Sequence, residues 1–187
     1  MPIEIERRFL VCSDEWRNAV IRSEWRKQSY LARTSVNCVR VRRSESRATI
    51  TVKSGHMGMV RDEFEYRIPI LDADHMLERL CVTPILEKVR HWVEYSGMVW
   101  EVDVYSGEAA GLVLAEIELQ RADQPFALPR WVSAEVTEDE RYRSRGIALG
   151  LWRESAPERQ APRDRSASGR TAPARTRRSR RSPRPRA

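Results

Sequence analysis

Cysteine is scarce in this chain, and the little there is carries no pattern: Cys12, Cys38 and Cys81 are odd in number and widely spaced. That argues against a disulfide framework or a paired-cysteine metal knuckle and leaves reduced structural thiols. Histidine is equally sparse. His56, His75 and His91 lie far apart, so neither histidine ligation of a metal nor a histidine-based triad is expected. No apolar run approaches the ~20 residues that a membrane span requires, and the charged N-terminus lacks a signal-peptide pattern; a cytoplasmic protein is expected. Neither an internal repeat nor a P-loop is visible. A length of 187 residues is ample for one core and short for two.

What the chain does have is charge on alternate positions. In a β-strand successive side chains point to opposite faces, so Glu4, Glu6 and Arg8 share one side while Ile3, Ile5 and Phe9 share the other. Arg40 and Arg42 alternate with Val39 and Val41, and Thr49, Thr51 and Lys53 with Ile50 and Val52. Glu63, Glu65 and Arg67 alternate with Phe64, Tyr66 and Ile68; Lys88 and Arg90 flank Val89; Glu101 and Asp103 alternate with Val102 and Val104. Glu116 and Glu118 alternate with Ile117 and Leu119, and Glu135 and Thr137 bracket Val136.

For one strand this pattern says only that one face packs and the other meets water. Across the set, acids and bases are sorted by strand: the Glu4, Glu101 and Glu116 segments are mostly acidic, while the Arg40, Lys53 and Lys88 segments are purely basic among their charges. If such a sheet closes with this face inward, it encloses a carboxylate cluster and an Arg/Lys cluster together. Carboxylate oxygens suit hard divalent cations, and Arg and Lys suit phosphate oxygens, so the cavity fits a metal-bound polyphosphate.

Here the chain resembles the CYTH or triphosphate tunnel metalloenzyme superfamily, whose N-terminal signature is Glu-x-Glu-x-Lys. The matching residues are Glu4-Ile5-Glu6-Arg7-Arg8, Gln28-Ser29-Tyr30-Leu31, Val39-Arg40-Val41-Arg42, Thr51-Val52-Lys53 and Arg61-Asp62-Glu63-Phe64-Glu65-Tyr66. They continue through Lys88-Val89-Arg90, Trp100-Glu101-Val102-Asp103, Ala115-Glu116-Ile117-Glu118-Leu119 and Glu135-Val136-Thr137. The resemblance implies an α+β fold over residues 1–152: an eight-stranded antiparallel β-barrel, the triphosphate tunnel, with a charged interior and helices packed outside. It also implies metal-dependent chemistry on triphosphates. Inorganic triphosphate is the expected substrate, hydrolysed to diphosphate and phosphate with Mg²⁺ or Mn²⁺. Thiamine or nucleoside triphosphate hydrolysis and class IV-type adenylate cyclisation are alternatives. A non-catalytic polyphosphate- or RNA-binding protein is an alternative of another kind.

A triphosphate must have its charges neutralised before a nucleophile approaches phosphorus. On the resemblance, Glu4, Glu6, Glu116 and Glu118 are the expected metal ligands, with Asp103 and Glu101 after them. Arg8, Arg40, Arg42, Lys53, Arg61 and Arg90 are the expected phosphate-binding residues, and Glu63 and Glu65 are expected to orient the bases. Lys88 is expected either to join the phosphate-binding residues or, if crowded by cationic neighbours, to assist proton transfer through a lowered pKa. Tyr30 is a second catalytic candidate, because family members with Gln-x-Tyr-Leu have been assigned a tyrosine proton acceptor near the signature lysine. This chain departs from the pattern there, with Arg8 in place of that lysine. Arginine holds phosphate but does not shuttle a proton. A second departure is Arg141-Tyr142-Arg143-Ser144-Arg145, where similar proteins tend to have Asn after the aromatic residue.

Between the strands, Ser13 is expected to cap a helix carrying Trp16, Val20, Ile21 and Trp25 and ending near Lys27. Asp72 is expected to cap a second one carrying Met76, Leu77 and Leu80 and stopping before Pro84. Gly55 and Gly58 mark one turn, and Gly107 and Gly111 another connection. The composition changes near the C-terminus. From Pro157 to Ala187, eleven Arg face only Glu158 and Asp164, a net of +9 in a chain of net +7, so the remainder carries −2. A segment with so little apolar surface does not offset its folding entropy; residues 153–187 are expected to be a disordered basic tail making at most weak contact with nucleic acid or another polyanion.

Overall fold

The computed structural model describes residues 3–34, 36–54 and 60–154, without the side chains of Ile3, Glu4, Val60 and Arg61. The chain divides into a unit Met1–Ser155 and a remainder Ala156–Ala187. The remainder, with most of the expected tail, and the Gly55/Gly58 turn lie outside the described residues.

Period-two patterning gives nine strands among the described residues: β1 (Ile3–Val11), β2 (Val20–Arg33), β3 (Asn37–Ser44), β4 (Ala48–Ser54), β5 (Val60–Ile68), β6 (Leu86–Tyr95), β7 (Met98–Ser106), β8 (Val113–Glu118) and β9 (Val132–Glu135). They form one sheet in the order β5-β4-β3-β2-β6-β7-β8-β1-β9, antiparallel throughout. The α+β class is as expected, but the sheet is not the expected eight-stranded barrel. It has nine strands, and β1 meets β5 only through Ile3, Glu4 and Ile5 against Asp62, Arg61 and Val60. The ninth strand takes Phe9 and Val11 on the edge of β1 away from β8, so β5 meets β1 only at its N-terminal end. The turn between β6 and β7 is tight, with Ser96 and Gly97 both at positive φ, 51° and 76°, the geometry of a type I′ hairpin.

Two apolar layers cover the outer face. Phe9, Val93, Trp100, Val102, Ala115 and Ile117 pack with Trp16 and Trp131 on one arm, and Trp100 meets both Phe9 and Trp131 at ring-centre distances of 5.6 Å. On the other arm, Val41 and Ala48 pack against Ala73 and Leu77 of α1 (Ile70–Arg79). This helix is the second one expected, but it starts after Pro69, and Asp72 sits inside its first turn rather than capping it. Proline suits that entry because it has no N–H to leave unpaired, and Asp72 complements the positive end of the helix. No helix among the described residues is long and apolar enough to cross a membrane.

Two expectations about helices are corrected. The segment after Ser13 forms only a 3-10 stretch, Glu15–Ala19, before β2 begins at Val20. The tryptophan spacing that suggests a helix competes with a period-two pattern in which Glu24, Arg26 and Gln28 are buried. Strand pairing wins because β2 is hydrogen-bonded to both β3 and β6. Nor do all helices pack outside. Leu86, Tyr105 and Leu114 lie two positions from Lys88, Asp103 and Glu116 and so share their inward face, and they are buried with Tyr142, Ile147 and Trp152. The segments Glu140–Tyr142, α2 (Ser144–Ala148) and Leu151–Glu154 thus pack on the inner side of the sheet.

Candidate active site

Cross-strand register arranges the inward side chains in rows, since paired residues lie on the same face. Arg22 of β2 pairs with Trp92 of β6, Trp92 with Glu101 of β7, Glu101 with Glu116 of β8, and Glu116 with Arg8 of β1. The next row is Glu24, Arg90 and Asp103, and the one after it Arg26, Lys88 and Tyr105. On the other arm Tyr30, Arg40, Thr51 and Glu65 form a row beside Cys38, Lys53 and Glu63. Between the two arms lies a cavity of about 750 Å³.

The acidic arm is densely cross-linked. Arg8 donates through Nε to Glu116 (2.8 Å), through Nη2 to Glu6 (2.7 Å) and through Nη1 to the Tyr142 carbonyl (3.0 Å). Arg90 donates to both oxygens of Asp103 (2.7 and 2.6 Å), to Glu116 (2.7 Å) and to Glu101. Lys88 donates to Asp103 and lies 5.4 Å from the centre of the Tyr105 ring. Burial by itself favours the neutral carboxyl at Glu116, but Arg8, Arg90 and Lys88 outweigh it and hold that group well below the usual carboxylate range. Asp103, fully enclosed, is lowered likewise by Arg90 and Lys88 against its burial. Burial, reinforced by Arg90, pushes Lys88 down to about 7, and the attraction of Asp103 and Glu116 only partly offsets this.

The basic arm is less well neutralised. Lys53 pairs with Glu63 at 2.7 Å, while Arg40 reaches Glu63 only at 3.6 Å and keeps a buried Nε with no hydrogen-bond partner. Arg42 donates to Gln28 at 3.1 Å and has no carboxylate within 4.0 Å among the described residues. Burial, then repulsion from Arg40, Arg90 and Arg26, pushes its pKa down to about 9. Among the described residues, ten Arg and Lys side chains line the cavity against seven Glu, so an anion entering it meets an excess of positive charge.

A sheet with charged rows facing one cavity, carboxylates on one arm and surplus guanidinium on the other, invites comparison with known proteins. The CYTH domain family matches residues 2–146. The chain belongs to that family. A curated inorganic triphosphatase of Acetivibrio thermocellus is 40% identical over 142 residues, covering 76% of this chain and 90% of that one. An inorganic triphosphatase of Nitrosomonas europaea is 32% identical over 152 residues, covering 79% and 98%. A crystal structure of an inorganic triphosphatase superposes with a TM-score of 0.60 at 31% identity, over 80% of this chain and 96% of the other.

Within this CYTH domain the expected site residues separate into three groups. Glu6, Arg8, Tyr30, Arg40, Arg42, Lys53, Lys88, Arg90, Glu116 and Glu118 all line the cavity. Glu4 and Arg61 are backbone partners across β1 and β5, but their side chains lie outside the described residues. Asp103, expected among the metal ligands, points at Lys88 and Arg90 with no exposed surface. Among the described residues no three acidic, histidine or cysteine side chains converge as a ready-made metal site. Arg8 spends its guanidinium on Glu6, Glu116 and a carbonyl, with no hydrogen bond to Tyr30.

Glu24, Arg26, Gln28 and Trp92 are not among the site residues expected from the sequence. Arg26 (2.7 Å from Glu24), Gln28 and Trp92 line the cavity. The signal was the run Arg22, Glu24, Arg26, Gln28, Tyr30, which has the same alternation as the recognised strands. The second departure from the family pattern also reaches the cavity, for Ser144 accepts from Gln28 at 3.1 Å and Arg143 lines the wall. Cys38, read as a structural thiol, lines it too.

Proposed function

We propose that this chain hydrolyses inorganic triphosphate to diphosphate and phosphate with the help of a divalent cation, inside the cavity between the two arms of the sheet. The observation that carries the reading is Arg42: a cation facing the cavity, with no carboxylate within 4.0 Å among the described residues and crowded by three other guanidinium groups whose repulsion the more distant Glu65 does not offset, calls for an anionic ligand with several charges. The likeness to two inorganic triphosphatases supports the identity of that anion.

Arg40, Arg42, Arg26 and Lys53 would then hold phosphate oxygens, with Arg61 added from β5 and Arg8 and Arg90 on the acidic side. The carboxylates facing the cavity on β1 and β8 offer oxygen donors only, which fits Mg²⁺ or Mn²⁺. Glu4, Glu6, Glu116 and Glu118 would hold the cation, with Arg8 turning from Glu6 and Glu116 toward phosphate. When bound, such an ion would offset phosphate charge and so ease the approach of a water nucleophile. Asp103 fixes Lys88 and Arg90 in place. Lys88, titrating near neutrality, holds or passes the proton that water must lose. Tyr30 is a second proton acceptor on the basic arm.

The reading is tested by phosphate release from inorganic triphosphate, ATP and thiamine triphosphate with Mg²⁺, Mn²⁺ or chelator, and by product analysis for cyclic AMP. Metal-dependent release, fastest with inorganic triphosphate, is expected. Cyclic AMP, or triphosphate binding without turnover, would overturn it.

A further inference from the structure

We infer that Trp92 sets the size of the group allowed at one mouth of the cavity, admitting inorganic triphosphate and turning away triphosphates with a bulky organic substituent. This rests on the triphosphatase reading.

Trp92 follows Lys88 and Arg90 at alternate positions on β6 and lines the cavity with them. Toward Leu86 the same face is sealed by the buried cluster with Tyr105 and Leu114. In the other direction the next pair on that face, Glu94 and Val99, is exposed, Val99 by 46%. Trp92 is therefore the last large side chain before solvent on this wall.

The indole is held from several sides. Its Nε1–H donates to Glu101 at 3.0 Å, and the guanidinium carbons of Arg22 and Arg26 lie 4.3 and 5.0 Å from a ring centre of Trp92. Glu24 ties the two arginines together, at 3.2 Å from Arg22 and 2.7 Å from Arg26. A ring engaged in this way is a fixed wall rather than a swinging side chain. Its N–H is already spent and two guanidinium groups already lie against it, so an incoming base has to displace an arginine to stack there. Only β7 separates Trp92 from the strand of Glu116, a span of about 10 Å at the usual strand spacing. A phosphate held by Arg8 and Arg90 would thus lie close to the indole. A bare phosphate terminus meets Arg26 and Arg22 as counter-ions, whereas a nucleoside meets the ring edge.

The test compares Trp92→Ala with Trp92→Phe, each checked for folding by thermal melting. The readout is the ratio of kcat/KM for ATP to that for inorganic triphosphate, with the same metal. Trp92→Ala is expected to raise this ratio by about tenfold or more, the scale at which pocket shape discriminates between substrates. Trp92→Phe, which keeps a ring but loses the bond to Glu101, should leave it near the wild-type value. An unchanged ratio in Trp92→Ala overturns the inference, as does an equal fall for both substrates in both variants, which would make Trp92 a positioning residue for Glu101. The same ratio is read without turnover by calorimetric binding of ATP and inorganic triphosphate in chelator. Absence of wild-type turnover would thus sink the triphosphatase reading while the binding ratio still decides the gate.

Discussion

Arg8 and Glu116 face each other as register partners on β1 and β8, with Nε 2.8 Å from Oε1 and both side chains buried. Further acid–base contacts branch from this pair. Glu6 joins through Arg8, and Arg90 joins through Glu116 and brings Asp103 and Lys88 with it.

Glu116→Gln removes the charge at this junction while keeping the shape. Metal-dependent phosphate release should fall by about a hundredfold or more, because several kcal/mol of charge stabilisation depend on the ion it would hold. Initial rates across a metal titration check this, and unchanged rates would dismiss Glu116 as a ligand.

Arg42→Met should have opposite effects on stability and binding. Removing a cation that Glu65 only partly offsets relieves repulsion from Arg40, Arg90 and Arg26, so the ligand-free protein should gain on the order of 1 kcal/mol, about 2–4 °C in Tm. The rise in Tm on adding inorganic triphosphate should shrink at the same time. A variant that loses stability and binds triphosphate normally would contradict the role given to Arg42.

Lys88 makes stability depend on pH. Its folded pKa is about 7, below the ordinary 10.5, so between these values the unfolded chain binds more protons than the folded one. Stability from this group therefore rises with pH above about 7, by at most about 1.4 kcal/mol per unit. Arg42 adds its own rise above about 9, so the window belonging to Lys88 is pH 7–9. Denaturant unfolding in chelator across that window should show a shallower slope for Lys88→Gln than for the wild type; identical slopes would refute the assignment.

Arg8→Lys restores the family signature residue and tests what the arginine contributes. The guanidinium makes three hydrogen bonds to Glu6, Glu116 and the Tyr142 carbonyl, and an ammonium on a shorter fork cannot reproduce that planar set. A loss of about 1–3 kcal/mol in unfolding free energy is expected, with phosphate release retained. Retained stability would mean that the geometry at Arg8 is not used.

The sheet and most of the cavity were legible because a period-two pattern needs only sequence. Arg40, Arg42, Lys88, Arg90, Glu116 and Glu118 announce their face by alternation, and the structure lines the cavity with all of them. Three features were hidden. Leading into β2, the spacing of Trp16, Val20 and Trp25 imitates a helix, and pairing on both sides of the strand decides the matter only in three dimensions. The inward packing of Tyr142, Ile147 and Trp152 follows from Leu86, Tyr105 and Leu114 changing the character of a face partway along its strands. Asp103 alternates like a cavity ligand, yet its depth, set by Arg90 and Lys88 closing over it, cannot be read from position alone.

The row running Arg22, Trp92, Glu101, Glu116 and Arg8 draws one residue from each of five strands. Such a row is sensitive to reading frame in a way that single contacts are not. A one-residue insertion or deletion within β6, β7 or β8 turns every later side chain of that strand to the opposite face, exchanging Glu116 for a neighbour such as Ile117 or Ala115. Substitution in this protein is therefore a local event, whereas a shift in strand length is a global one, and natural or engineered length variation should be confined to its turns.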